Sequence, residues 1–87
     1  MAKKAAMAIT HDEWMSLTAQ GKELHDYWRE HEPKLYEEAA KEKTLLSLLQ
    51  SKGEAMQEEM IDLMQQGLNQ YEAREIVWED IYSTYQE

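Results

Sequence analysis

Apolar residues recur along this chain at intervals of three and four, the period of one helix face, and no stretch alternates with the period of two that marks a strand. Trp14, Leu17, Gly21, Leu24 and Trp28 form the first stripe. Thr10 and Glu13 stand three apart as a capping box, with Ile9 before the cap and Trp14 at the spacing of a hydrophobic staple. The pattern predicts one continuous helix from Thr10 to about His31. Pro33 ends it, because a proline pushes the preceding residue out of the α region and suits the first turn of a new helix. A short second helix over 33–42 follows, presenting Leu35, Tyr36, Ala39 and Ala40.

Thr44 is the expected cap of a third helix running to about Gln66. Leu46, Leu49, Gly53, Met56, Met60, Leu63 and Gly67 form its seam, suited to one neighbouring helix. Gly53 leaves room for a break, and Gly67 is a natural C-terminal stop. Asn69 and Glu72 repeat the capping box for a last helix. The fold class is therefore all-α: a small bundle of three to four helices, or a helical hairpin with a packed arm. Residues 1–8 read as a flexible tail and residues 9–87 as a single helical domain.

Composition narrows the function. At 87 residues without cysteine, the chain has neither a disulfide framework nor a thiolate metal site to supplement a small core. The apolar run at the start stops at His11, Asp12 and Glu13, too soon for a signal sequence or a membrane span. A cytoplasmic location is the expectation.

The net charge of −9 is unevenly spread. Residues 1–52 hold eight Lys/Arg against nine Asp/Glu, whereas residues 53–87 hold Arg74 alone against nine acids. Such a half repels phosphate backbones, so no direct nucleic-acid binding is expected. The natural partner is a protein with a basic surface.

Candidate chemistry is sparse. His11, His25 and His31 lie too far apart for a helical zinc pair, and no Glu stands three residues before any of them. They read as surface or helix-end residues. The glycines at 21, 53 and 67 make no phosphate loop. No serine sits on a recognisable nucleophile turn. The expectation is no enzyme, no catalytic residue, no metal and no cofactor.

Binding surface remains. Glu54, Glu58 and Asp62 follow one i, i+4, i+8 line, and Glu72, Glu75 and Glu79 line the last helix, with Glu59 and Asp80 beside them. Neighbouring carboxylates on such lines stand about 6 Å apart and repel, weakening the isolated helix by a few tenths of a kcal/mol per pair. An ordinary solvated face explains them. So does a surface that imitates a nucleic-acid backbone and occupies a basic groove. On the last helix Ala73, Ile76, Val77 and Ile81 form an apolar face, and Tyr71, Trp78, Tyr82 and Tyr85 form a second stripe. Those aromatics either wrap into the core or form a patch for a partner or a second copy. Met56, Met60 and Met64 fit either core or an adaptable groove.

Two segments resemble the small TnpV-like proteins carried by transposons and prophages. One is Tyr27–Tyr36, with Trp28, Arg29, Pro33 and Lys34; the other is Gln65–Glu79, where Gly67 leads into a final helix containing Ala73. The resemblance implies a helical accessory protein of a phage or mobile element, and it brings no catalytic residues. The combined expectation is a protein-binding module that inhibits a host nucleic-acid-binding protein, such as an anti-CRISPR. Its binding residues would be Glu54, Glu58, Glu59, Asp62, Glu72, Glu75, Glu79 and Asp80. The alternative is a structural, self-associating subunit, a homodimer with the aromatic stripe as its seam.

Overall fold

A computed structural model describes residues 6–85, with side chains through Ile81. The fold class is all-α: α1 (His11–Met15), α2 (Ala19–His31), α3 (Pro33–Lys41), α4 (Leu45–Gln65) and α5 (Gln70–Tyr85). No strand occurs among the described residues. The chain divides within α4 into two units, Met1–Glu54 and Ala55–Glu87.

The first unit corrects the expectation of one helix over 10–31. The Thr10–Glu13 capping box forms, with Glu13 N–H donating to Thr10 Oγ1 at 3.1 Å and Thr10 N–H to Glu13 Oε1 at 2.8 Å. The helix it starts ends after Met15. Ser16 N–H reaches both Asp12 and Glu13 carbonyls, and Leu17 N–H reaches Trp14, the tightened bonding of a last turn. Thr18, in extended backbone, then caps α2 by accepting Gly21 N–H at 3.0 Å. Periodicity did not reveal the break, because Trp14, Leu17 and Gly21 keep their spacing of three and four across it. The break leaves backbone groups without helical partners, and the Thr18 hydroxyl and the Ser16 and Leu17 N–H bonds satisfy some of them.

α3 begins at Pro33, as expected, and closes in a Schellman motif. Thr44 N–H donates to Ala39 C=O at 2.9 Å and Lys43 N–H to Ala40 C=O at 3.1 Å. Thr44 Oγ1 also donates back to Ala39 C=O at 3.3 Å. Thr44 also stands at the expected cap position of the next helix, where Leu48 N–H donates to its carbonyl at 2.9 Å. Lys43 takes the left-handed position of this motif, with φ 63°, where a Cβ is strained and glycine is favoured. Lys43→Gly should raise unfolding stability by about 0.5–1 kcal/mol, the relief of strain outweighing glycine's extra unfolded-state entropy. An unchanged or lower urea midpoint would refute this.

Buried residues of the first unit include Ile9, Leu17, Leu24, Trp28, Tyr36, Ala39, Leu45 and Leu49. The seam of α4 starts at Leu45, not at Leu46, which is half-buried. Gly53 is no break, for α4 runs through it unbroken. Its place is explained by close approach: a Cβ there would lie 2.7 Å from Thr18 Oγ1 and 2.8 Å from Gly21 Cα. Two glycines let α4 and α2 touch almost backbone to backbone. Residues 1–5 of the expected tail lie outside the described residues, but Ala8 N–H is tied to Tyr36 Oη at 2.8 Å.

In the second unit α4 ends at a Schellman motif built on Gly67, φ 106°. Leu68 N–H donates to Leu63 C=O and Gly67 N–H to Met64 C=O. The Asn69–Glu72 capping box then forms in both directions, at 2.9 and 3.1 Å. Met56, Met60, Ala73, Val77 and Trp78 are buried. No helix among the described residues is long and apolar enough to cross a membrane.

Candidate functional site

The acidic residues singled out from the sequence all face solvent. Glu54, Glu58, Glu59 and Asp62 on α4 are exposed, and so are Glu72, Glu75, Glu79 and Asp80 on α5. Exposure follows from the core stripe of α4. With Leu49, Met56 and Met60 turned inward, a rotation of about 100° per residue carries Glu58 and Asp62 to the opposite side of the helix. On α5 the buried residues Ala73 and Val77 do the same for Glu72, Glu75 and Glu79. Asp80 departs from this rule: it lies seven residues after Ala73, on the same side of the helix, and is still exposed.

Arg74, the one base from 53 to 87, lies with its guanidinium 5.9 Å from the centre of the Trp78 ring. It is therefore drawn along the helix onto an aromatic face. A groove of about 250 Å³ is lined there by Arg74, Glu75, Trp78 and Glu79.

The aromatic stripe separates into two fates. Tyr71 is 79% exposed, while Trp78 is 6% exposed and belongs with the buried residues. The Tyr82 and Tyr85 side chains lie outside the described residues. Ile76 corrects the expected apolar face of the last helix, since it is turned outward while Ala73 and Val77 are fully covered. Ala73, Val77, Ile81 and Trp78 share one arc, and Ile76 lies beyond its far edge. Covering the indole removes more apolar surface from water than covering an isoleucine, so the arc that includes Trp78 turns inward. The methionines split in the same way: Met56 and Met60 are buried and Met64 is exposed.

His25 is a further correction. It is neither a surface nor a helix-end residue but 1% exposed. Its Nδ1 lies 2.9 Å from Asp26 Oδ1, and its Nε2 lies 2.8 Å from Tyr36 Oη. Ala8 N–H donates to that same hydroxyl. The phenol's own proton then points at Nε2, which leaves the imidazole proton on Nδ1 facing the carboxylate. Each polar atom of this chain has a partner, the condition for burying it without penalty. Burial raises the Tyr36 phenol above its ordinary value, opposed by the Ala8 hydrogen bond and by the charge of Arg29, while Asp26 adds to the rise. The group resembles a relay, but its ring members are covered, and it ties the N-terminal segment, α2 and α3 together. One signal for it was present in the sequence. Gly21, Leu24, His25 and Trp28 share one i, i+3, i+4 face, so His25 was already on the buried stripe.

His11 and His31 are exposed near the ends of α1 and α2. His11 stacks on Trp14, and His31 lies tilted against Tyr27 with ring centres 4.9 Å apart. Among the described residues no three His, Asp or Glu side chains converge to hold a metal ion. No family model, curated protein or solved structure matches the chain.

Proposed function

We propose that this chain is a protein-binding module whose acidic helices occupy a basic, nucleic-acid-binding surface on a host protein and block it. One observation carries the reading: eight carboxylates on α4 and α5 face solvent in a stretch, residues 53–87, that holds a single base, Arg74, against nine acids. Like charges so close together cost helix stability, and a cationic partner recovers that cost as attraction. The resemblance to TnpV-like proteins supports a phage or mobile-element origin. An inhibitor of a nucleic-acid-guided defence enzyme, as an anti-CRISPR is, makes the most concrete version. The reading calls for no cofactor and no catalysis, and it places the protein in the cytoplasm with its target.

The alternative of a self-associating subunit loses its central anchor, because Trp78 is buried rather than offered at the surface.

The test reverses Glu58, Asp62, Glu75 and Glu79 to Lys together. The tagged parent should capture a basic nucleic-acid-binding protein from host lysate, release it as salt rises, and compete with its nucleic acid. The reversed variant should retain its helicity and lose capture by at least about a hundredfold, the scale of several charge contacts removed. Equal capture by parent and variant at low salt would refute the acidic surface as the binding face.

A further inference from the structure

The corner between α4 and α5 carries apolar side chains that an acidic surface alone does not need. Ile61 and Met64 are 46% and 44% exposed, and Tyr71, in the first turn of α5, is 79% exposed. Ile61 and Met64 stand three apart and so share one face of α4. That face lies between the buried side, marked by Met56 and Met60, and the acidic side, marked by Glu58 and Asp62. Gly67, at the turn, is open, for a Cβ there would meet nothing within 4 Å. From Ala55 to Ala73 the chain has no Lys or Arg, while Glu58, Glu59, Asp62 and Glu72 fall within it.

Two candidate occupants fit poorly. A second copy would bring the same carboxylates against these, and like charge across an interface is repulsive. A purely polar cationic strand would meet the carboxylates and leave Ile61, Met64 and Tyr71 wet. An amphipathic helix with Lys and Arg flanking an apolar stripe satisfies both halves of the surface. Methionine suits such a contact because its unbranched, polarizable side chain adapts to the shape laid on it.

We propose that this corner docks a cationic amphipathic helix of the partner, with its apolar stripe on Ile61, Met64 and Tyr71 and its basic flanks against Glu58 and Asp62. The inference rests on the acidic-surface reading and adds the secondary structure and apolar anchors of the partner. Its association has a component that salt does not screen, since apolar burial is not an ionic interaction.

The test titrates the full chain with two synthetic helical peptides of equal positive charge, one of leucine and lysine in amphipathic register and one of glutamine and lysine. The leucine peptide should bind about tenfold tighter or more, and should keep part of its affinity at high salt. Ile61→Gln, Met64→Gln and Tyr71→Gln together should erase that advantage while leaving the glutamine peptide and the helicity unchanged. Equal affinities for the two peptides, with both lost when Glu58 and Asp62 are reversed to Lys, would overturn the docked helix and leave the acidic surface standing. Failure of both peptides to bind at low salt would overturn both readings. A triple variant that holds the leucine peptide as tightly as the parent would overturn the assignment to this corner.

Discussion

Gly53→Ala should lower the stability of the folded chain by about 2–3 kcal/mol, although alanine is the better helix former by about 1 kcal/mol. The new methyl carbon would lie 2.7 Å from Thr18 Oγ1, 2.8 Å from Gly21 Cα and 3.0 Å from Gly21 N. Two of those atoms are backbone and cannot swing aside. The third is the hydroxyl that caps α2, so displacing it sacrifices a cap worth about 1 kcal/mol. Moving α4 away instead would loosen Leu49 and the side chains around it, at the cost of close-packed contacts. Gly21→Ala meets a milder environment, with Leu49 C=O at 3.2 Å and side-chain atoms of Leu17 and Thr18 at 3.3 Å. Its helix-propensity gain should offset most of the crowding, giving a change within about 1 kcal/mol of zero. Urea unfolding followed by helical circular dichroism measures both. A Gly53→Ala protein as stable as the parent, or more so, would show that the two helices do not meet at the glycines.

Tyr36→Phe should cost about 2 kcal/mol at neutral pH, with the ring's packing preserved. The hydroxyl accepts Ala8 N–H and donates to His25 Nε2, each at 2.8 Å. Without it the imidazole nitrogen of a 1% exposed residue has no donor, and an orphaned buried acceptor bears its full desolvation cost. Pairing the change with His25→Leu should recover part of the loss, because removing both polar partners leaves nothing unsatisfied. A double variant less stable than the sum of the singles would contradict the chain of bonds.

Tyr36 also shapes the alkaline limit. Its phenol is raised above the ordinary value of 10.0 by burial, so the folded state holds the proton more tightly than the unfolded state. Below that ordinary value both states keep the proton and the contribution of Tyr36 is complete. As pH rises past it, the unfolded chain ionises first, and stability falls until the folded phenol also gives up its proton. The phenylalanine variant should lack this share of the alkaline decline, so parent and variant converge in stability as the pH climbs.

Much of the fold was legible because helix ends are local. The Thr10–Glu13 and Asn69–Glu72 boxes, the start at Pro33 and the stop at Gly67 each depend on a few neighbouring residues, and each forms where the pattern placed it. The exposure of the eight acids was legible too, since one apolar stripe per helix leaves the far side to solvent. The break at Ser16–Thr18 was hidden, because a helix face and a restarted helix face share the same spacing. Lys43 in a left-handed position was hidden for another reason: a Schellman motif favours glycine, and only the bonding of Thr44 and Lys43 to Ala39 and Ala40 reveals it.

Sequence by itself determined that this chain is helical, where most of its helices begin and end, and that its carboxylates gather in one half. These follow from propensity, capping and charge, which act between residues close in the chain. Tertiary structure alone decided that Gly53 serves a helix contact rather than a break, that His25 pairs with Tyr36, and that Trp78 turns inward while Ile76 and Tyr71 stay out. Those outcomes depend on which surfaces meet across long stretches of chain, and period and composition carry no record of a neighbour's shape.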